Sequence, residues 1–132
     1  DVVIAQRLVR KVHESCRVSY EFSKKEQEMI AFEPEIQKFL VKKGYGEQRT
    51  VTAFQGQGCK VCGGTGYLGR VGVFEVLEMT EPIKQLILRR ASSGEIMERA
   101  RQEGMTTMLE DGVGKVLNGI TTLEEVLRVT KS

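Results

Sequence analysis

The chain has no tryptophan, only two prolines and a single histidine, and its aromatics amount to 6% of residues. A core built from this composition must be mainly aliphatic, and no set of stacking aromatics is present to hold single-stranded nucleic acid. Neither charge sign dominates: the net charge is +2, with no concentrated basic stripe. That argues against nucleic acid as the main partner. No apolar run approaches the ~20 residues of a membrane span, so membrane insertion is not expected. No secretory signal is visible. No G-x-x-x-x-G-K-[S/T] phosphate loop occurs. Three cysteines do not pair completely within one chain, which argues against a disulfide framework and for a reducing cytosol.

What is present is a balanced soluble composition: 132 residues, 40% hydrophobic and 29% charged. This suits one ordinary domain or two small subdomains sharing contacts. Against that background, the one histidine and all three cysteines form two pairs. His13 and Cys16 make H-x-x-C, Cys59 and Cys62 make C-x-x-C, and 42 residues separate the pairs. A two-residue spacer lets both members of a pair reach one ion, so the four residues can close a tetrahedral Cys₃His zinc site. Gly58, Gly63 and Gly64 suit the tight turns this needs. A fourth ligand from protein, with no position left for water, makes such a site structural. Two other readings of the residues stay open: a thiol redox pair at Cys59 and Cys62, and a degenerate site that His13 no longer serves. With the histidine assigned to metal, no Ser-His-Asp set remains. Glu75, Glu78, Glu110 and Asp111 fall near helix starts or on polar faces, where capping and solvation account for them. The piece is therefore expected to be non-catalytic.

Along the chain, Val2, Ala5, Leu8, Val9 and Val12 recur at helical spacing and predict an amphipathic helix over 1–12. Arg7, Arg10 and Lys11 lie mostly off that stripe, as a solvated face or as a contact to nucleotide or a neighbouring domain. Residues 17–22 alternate as a strand. Ser23-x-x-Glu26 forms a capping box opening a helix to about Phe32. Pro34 begins a second helix that Gly44 stops. Residues 50–54 and 71–79 read as strands. From Thr80 onward the chain reads as helical. Ser92-x-x-Glu95, Thr107-x-x-Glu110 and Thr121-x-x-Glu124 open successive helices, and glycines punctuate them. The predicted fold is α+β: a small zinc-stapled β-sheet with a helical excursion, then an all-α C-terminal bundle.

The stretch 59–66 (CKVCGGTG) fits one unit of the cysteine-rich zinc domain of J-domain chaperones, which needs four. A far more extensive resemblance rests on AQRLVRKV at 5–12, the paired ligands, GYLGRVGVFEVL at 66–77 and GMTTMLEDGVGKVLNGITTLEEVLRVT at 104–130. Taken together these resemble the C-terminal region of the hexameric assembly ATPases of bacterial type II secretion and type IV pili. One position departs from the family pattern, which has cysteine where this chain has His13. The resemblance implies that residues 1–12 are the terminal helix of an ATP-binding core lying upstream. It implies a zinc-binding subdomain at 13–79 and a helical subdomain at 80–132. ATP and Mg²⁺ would then belong to the upstream core, and Zn²⁺ to His13, Cys16, Cys59 and Cys62. Expected partners are the rest of the ATPase, neighbouring subunits of a homohexamer and an inner-membrane platform protein. The expected location is cytoplasmic, peripheral to the inner membrane. A free-standing zinc-ribbon binding module for protein or nucleic acid is the alternative.

Overall fold

The computed structural model describes residues 1–45 and 51–131. The fold class is α+β, as expected. Strand β1 spans Val2–Val12, β2 Arg17–Glu21, β3 Thr52–Gly56 and β4 Tyr67–Glu78. Helix α1 spans Lys24–Ala31, α2 Pro34–Lys42, α3 Glu81–Leu88, α4 Ser93–Gln102, α5 Met108–Leu117 and α6 Leu123–Thr130. The strands form two antiparallel ribbons, β1 with β4 and β2 with β3. Among the described residues no helix is long and apolar enough to cross a membrane.

Residues 1–12 correct the first expectation: they form a strand, not a helix. Val2, Val3, Ile4, Val9 and Val12 are β-branched, and such side chains favour the pleated surface. β4 lies opposite almost the whole segment, from Val2↔Glu78 to Val12↔Tyr67. The helical spacing of the apolar residues was one of two periodicities the segment satisfies, and pairing with β4 selects the other. β4 in turn begins at Tyr67, earlier than residue 71, because β1 continues to Val12 and needs a partner there. Lys11 is faced by both Leu68 and Gly69, which makes a β-bulge with Gly69 at φ +80°. The third strand occupies Thr52–Gly56, and Thr50 of the expected strand lies outside the described residues.

The helix signals hold more closely. Ser23 and Glu26 form both arms of a capping box on α1, as do Thr107 and Glu110 on α5. Pro34 occupies the first turn of α2. On α4 only half the box forms, with Ser92 Oγ accepting the Glu95 N–H. The last helix starts one residue later than the Thr121 reading. Thr122 is the cap and accepts from the Glu125 N–H, because the buried Thr121 hydroxyl donates instead to the Arg10 carbonyl at 2.8 Å.

The core combines Phe22 of the β2–α1 turn, Ile30 of α1 and Ile36, Phe39 and Leu40 of α2 with Ala53 of β3. Val113 and Val116 of α5, with Leu123, Val126 and Leu127 of α6, complete it. α5 also packs on β3 and β4, and α6 on β1. The expected all-α C-terminal bundle is therefore not separate from the sheet: α5 and α6 pack on each other and on the ribbons. The stripes of α5 and α6 are wide enough to cover strands, and the ribbons supply the apolar surface they bury. α3 and α4 pack on each other.

Candidate metal centre

Two connections meet at one end of the ribbons. His13 and a 3-10 turn at Glu14–Cys16 join β1 to β2, and the 57–66 loop joins β3 to β4. Since β1 pairs with β4 and β2 with β3, each connection steps from one ribbon to the other. The pairing holds them side by side. The His13 N–H donates to the Gly66 carbonyl at 2.9 Å, and the Gln57 N–H to the Cys16 carbonyl at 3.0 Å. No side chain fits at the crossing: a Cβ on Gly56 would sit 2.1 Å from the Gly66 oxygen, and one on Gly66 2.5 Å from the Gly56 oxygen.

This crossing assembles all four predicted ligands. The ligand atoms of His13, Cys16, Cys59 and Cys62 lie within 4.8 Å of one another. A tetrahedral zinc site with the usual bond lengths would hold its sulfurs about 3.8 Å apart and its nitrogen about 3.5 Å from a sulfur. Cys59 Sγ is 3.6 Å from Cys62 Sγ and 3.3 Å from His13 Nδ1. Three thiols and one imidazole at these spacings suit a soft, tetrahedral ion. The cluster can therefore hold a metal, with Nδ1 as the ring nitrogen facing it.

The surroundings favour thiolate at the innermost sulfur. Burial pushes the Cys62 thiol up, and the backbone N–H groups of Gly66 and Cys59, both 3.3 Å from its Sγ, oppose that. Together with the Cys59 and His13 side chains they bring it down to about 6. Burial raises the Cys16 thiol, against a lowering hydrogen bond from the Gly58 backbone. Backbone donors aimed at sulfur are what a metal thiolate needs to spread its charge. His13 and Cys62 are buried, whereas Cys16 and Cys59 are half-exposed. The adjoining loop offers no apolar packing of its own: Val61 is 74% exposed.

A second junction, which the sequence reading missed, lies three residues before His13. Glu125 of α6 is 1% exposed. Its carboxylate accepts the Arg10 backbone N–H at 2.8 Å and Arg10 Nη2 at 3.2 Å. Arg128 adds Nη2 at 3.0 Å and Nε at 3.3 Å. Burial alone would raise this carboxyl, but Arg128 and Arg10 hold it down at about 2. The Arg10 guanidinium lies 4.1 Å from the centre of the Tyr67 ring, and the Tyr67 hydroxyl is 2.9 Å from Thr122 Oγ1. The one advance signal was the Thr121-Thr122 doublet before Glu124-Glu125, which permits two capping registers one residue apart.

Glu75, Glu110 and Asp111 act as caps and ties. Glu75 accepts the Met108 N–H at 2.9 Å, and Asp111 accepts the Phe74 N–H at 2.9 Å and Lys115 Nζ at 2.8 Å. Glu110 completes the α5 capping box.

With this geometry in view, the chain matches the family model described as Type II/IV secretion system protein over residues 1–128. It is 42% identical over 130 residues to the type IV pilus assembly ATPase PilB of Thermus thermophilus, covering 97% of this chain and 13% of that protein. It is 40% identical over 132 residues to type II secretion system protein E of Xanthomonas campestris pv. campestris, covering 98% of this chain and 21% of that protein. Identity to the PilB of Pseudomonas aeruginosa is 35% over 133 residues, or 99% of this chain and 21% of that protein. The chain thus spans only 13–21% of the length of these relatives.

Proposed function

The chain belongs to the type II/IV secretion system protein family, and on that premise we propose that it is a non-catalytic coupling region of an ATPase that powers type II secretion or type IV pilus assembly. His13, Cys16, Cys59 and Cys62 hold one structural zinc ion. When bound, zinc supplies a closed four-ligand staple with no open position for substrate or water. The chain's own residues do the rest: the Gly66 and Cys59 N–H groups steady the Cys62 sulfur, the Gly56–Gly66 contact closes the neck of the 57–66 loop, and the His13–Gly66 and Gln57–Cys16 backbone bonds hold the two connections together. The crossing becomes a stiff projection, able to pass motor movement to neighbouring subunits of a homohexamer and to an inner-membrane platform protein in the cytoplasm. ATP and Mg²⁺ act in the core outside this region.

The observation that carries this reading is the convergence of all four soft ligands, within 4.8 Å, where both inter-ribbon connections cross. The test is Cys59→Ser in the full-length ATPase. We expect ATPase activity and hexamer size to persist while secretion or piliation is lost. Undiminished secretion or piliation from a zinc-free variant would overturn the coupling role.

A further inference from the structure

A recess of about 300 Å³, lined by Leu8, Val9, Arg10, Arg70 and Arg128, lies beside the Glu125 junction. We propose that it binds a phosphate-class oxyanion, held between the guanidinium groups of Arg10, Arg70 and Arg128.

Three observations carry the proposal. The first is an uncompensated charge. Arg10 and Arg128 share the single carboxylate of Glu125, while the Arg70 side chain has neither hydrogen bond nor ion pair among the described residues. Three guanidinium groups against one carboxylate leave two positive charges over. A phosphate carries about −1.5 to −2 at neutral pH, which matches that surplus.

The second is register. Arg10 and Arg70 are direct cross-strand partners. Like charges placed opposite one another destabilise a sheet unless an anion lies between them. The β1–β4 pairing nevertheless continues unbroken up to this pair, from Val2↔Glu78 to Arg10↔Arg70.

The third is preorganisation. Arg10 is fixed from two sides, by the Tyr67 ring and by the buried Glu125 carboxylate, and Arg128 is fixed by the same carboxylate. Each guanidinium has five donors, of which Arg10 gives Nη2 to Glu125 and Arg128 gives Nε and Nη2. The remaining donors are oriented without being consumed, a fork geometry that suits phosphate oxygens. Leu8, two residues before Arg10 on the same face of β1, flanks the recess. The site needs no metal and is distinct from the cysteine cluster.

The test is a titration of the metal-loaded chain with orthophosphate against chloride at matched ionic strength, followed by thermal unfolding and calorimetry. A second arm replaces orthophosphate with a nucleoside triphosphate. We expect a saturable rise in Tm with phosphate and not with chloride. Arg70→Gln should weaken binding at least tenfold, and Arg70→Lys should retain part of it. Since the Arg70 side chain has no hydrogen-bond or ion-pair partner among the described residues, Arg70→Gln should fold, and in chloride its Tm should equal or exceed that of the parent because the cross-strand repulsion is gone. A triphosphate binding more than tenfold tighter than orthophosphate assigns the site to nucleotide phosphates, whereas equal affinity assigns it to free phosphate. An equal response to chloride, or unchanged phosphate affinity in Arg70→Gln, overturns the proposal.

Discussion

Two junctions fasten the end of β1, and they use opposite chemistry. At residues 10–12 the strand is tied to α6 by Glu125, and to the turn before α6 by Thr121 and the bond from the Val12 N–H to the Ile120 carbonyl. These ties lie against the apolar core that runs through Leu123, Val126 and Leu127. From His13 onward, none of the described residues 13–16 or 57–66 belongs to that core. The crossing is held by backbone hydrogen bonds, glycine contacts and the four soft ligands. Burial of aliphatic surface can stabilise the first junction without metal, but the second has little such surface to bury. On the proposed reading its order depends on a bound ion, whereas that of the helical half does not.

Metal removal should split the two regions most sharply. Structural zinc contributes on the order of 10 kcal/mol in small modules, comparable to the whole stability of a domain. Chelation, or Cys62→Ser, should abolish hydrogen-exchange protection over 13–16 and 57–66 first. Protection of α5 and α6 should outlast it. Simultaneous loss in both regions would show a single cooperative unit and remove the contrast.

The reverse perturbation is Glu125→Ala, which leaves Arg10 and Arg128 without their carboxylate and opens a buried space. It should cost about 3 kcal/mol in denaturant unfolding, with zinc content unchanged. Acid probes the same group. The folded carboxyl lies at about 2, below its ordinary value of 4.5. Its contribution is therefore complete above pH 4.5 and fades as pH falls toward 2. Glu125→Gln should flatten stability over that window relative to the parent.

Gly56→Ala tests the crossing without touching a ligand. The added methyl meets the Gly66 backbone oxygen at 2.1 Å, so the two ends of the 57–66 loop must part, at a cost of about 2 kcal/mol. Zinc affinity should fall with it. The smallest effect is at a helix start far from both junctions: Ser92→Ala removes a half-formed cap on α4 and should cost about 1 kcal/mol, with neither metal content nor acid response altered.

What the sequence disclosed follows the same division between local and distant causes. Caps at Ser23 and Thr107 and the proline start at Pro34 are decided by residues a few positions apart, so they were readable. The clustering of His13, Cys16, Cys59 and Cys62 was readable because the chain holds no other cysteine or histidine and places these four in equally spaced pairs. The strand at Val2–Val12 was not, because its apolar residues satisfy both a helical and an extended period, and the deciding partner is β4, at 67–78. Glu125 was hidden for a related reason. Thr121 and Thr122 offer two capping registers, and only the Arg10 carbonyl, 111 residues away in sequence, selects between them.

The central claim is that one metal ion, bound by His13, Cys16, Cys59 and Cys62, orders the crossing. Metal analysis by native mass spectrometry of the purified chain beside His13→Ala tests it directly. The account predicts one zinc per chain in the parent, and loss or marked weakening in the variant. A parent that holds no zinc, or a variant that holds it as tightly as the parent, would contradict it.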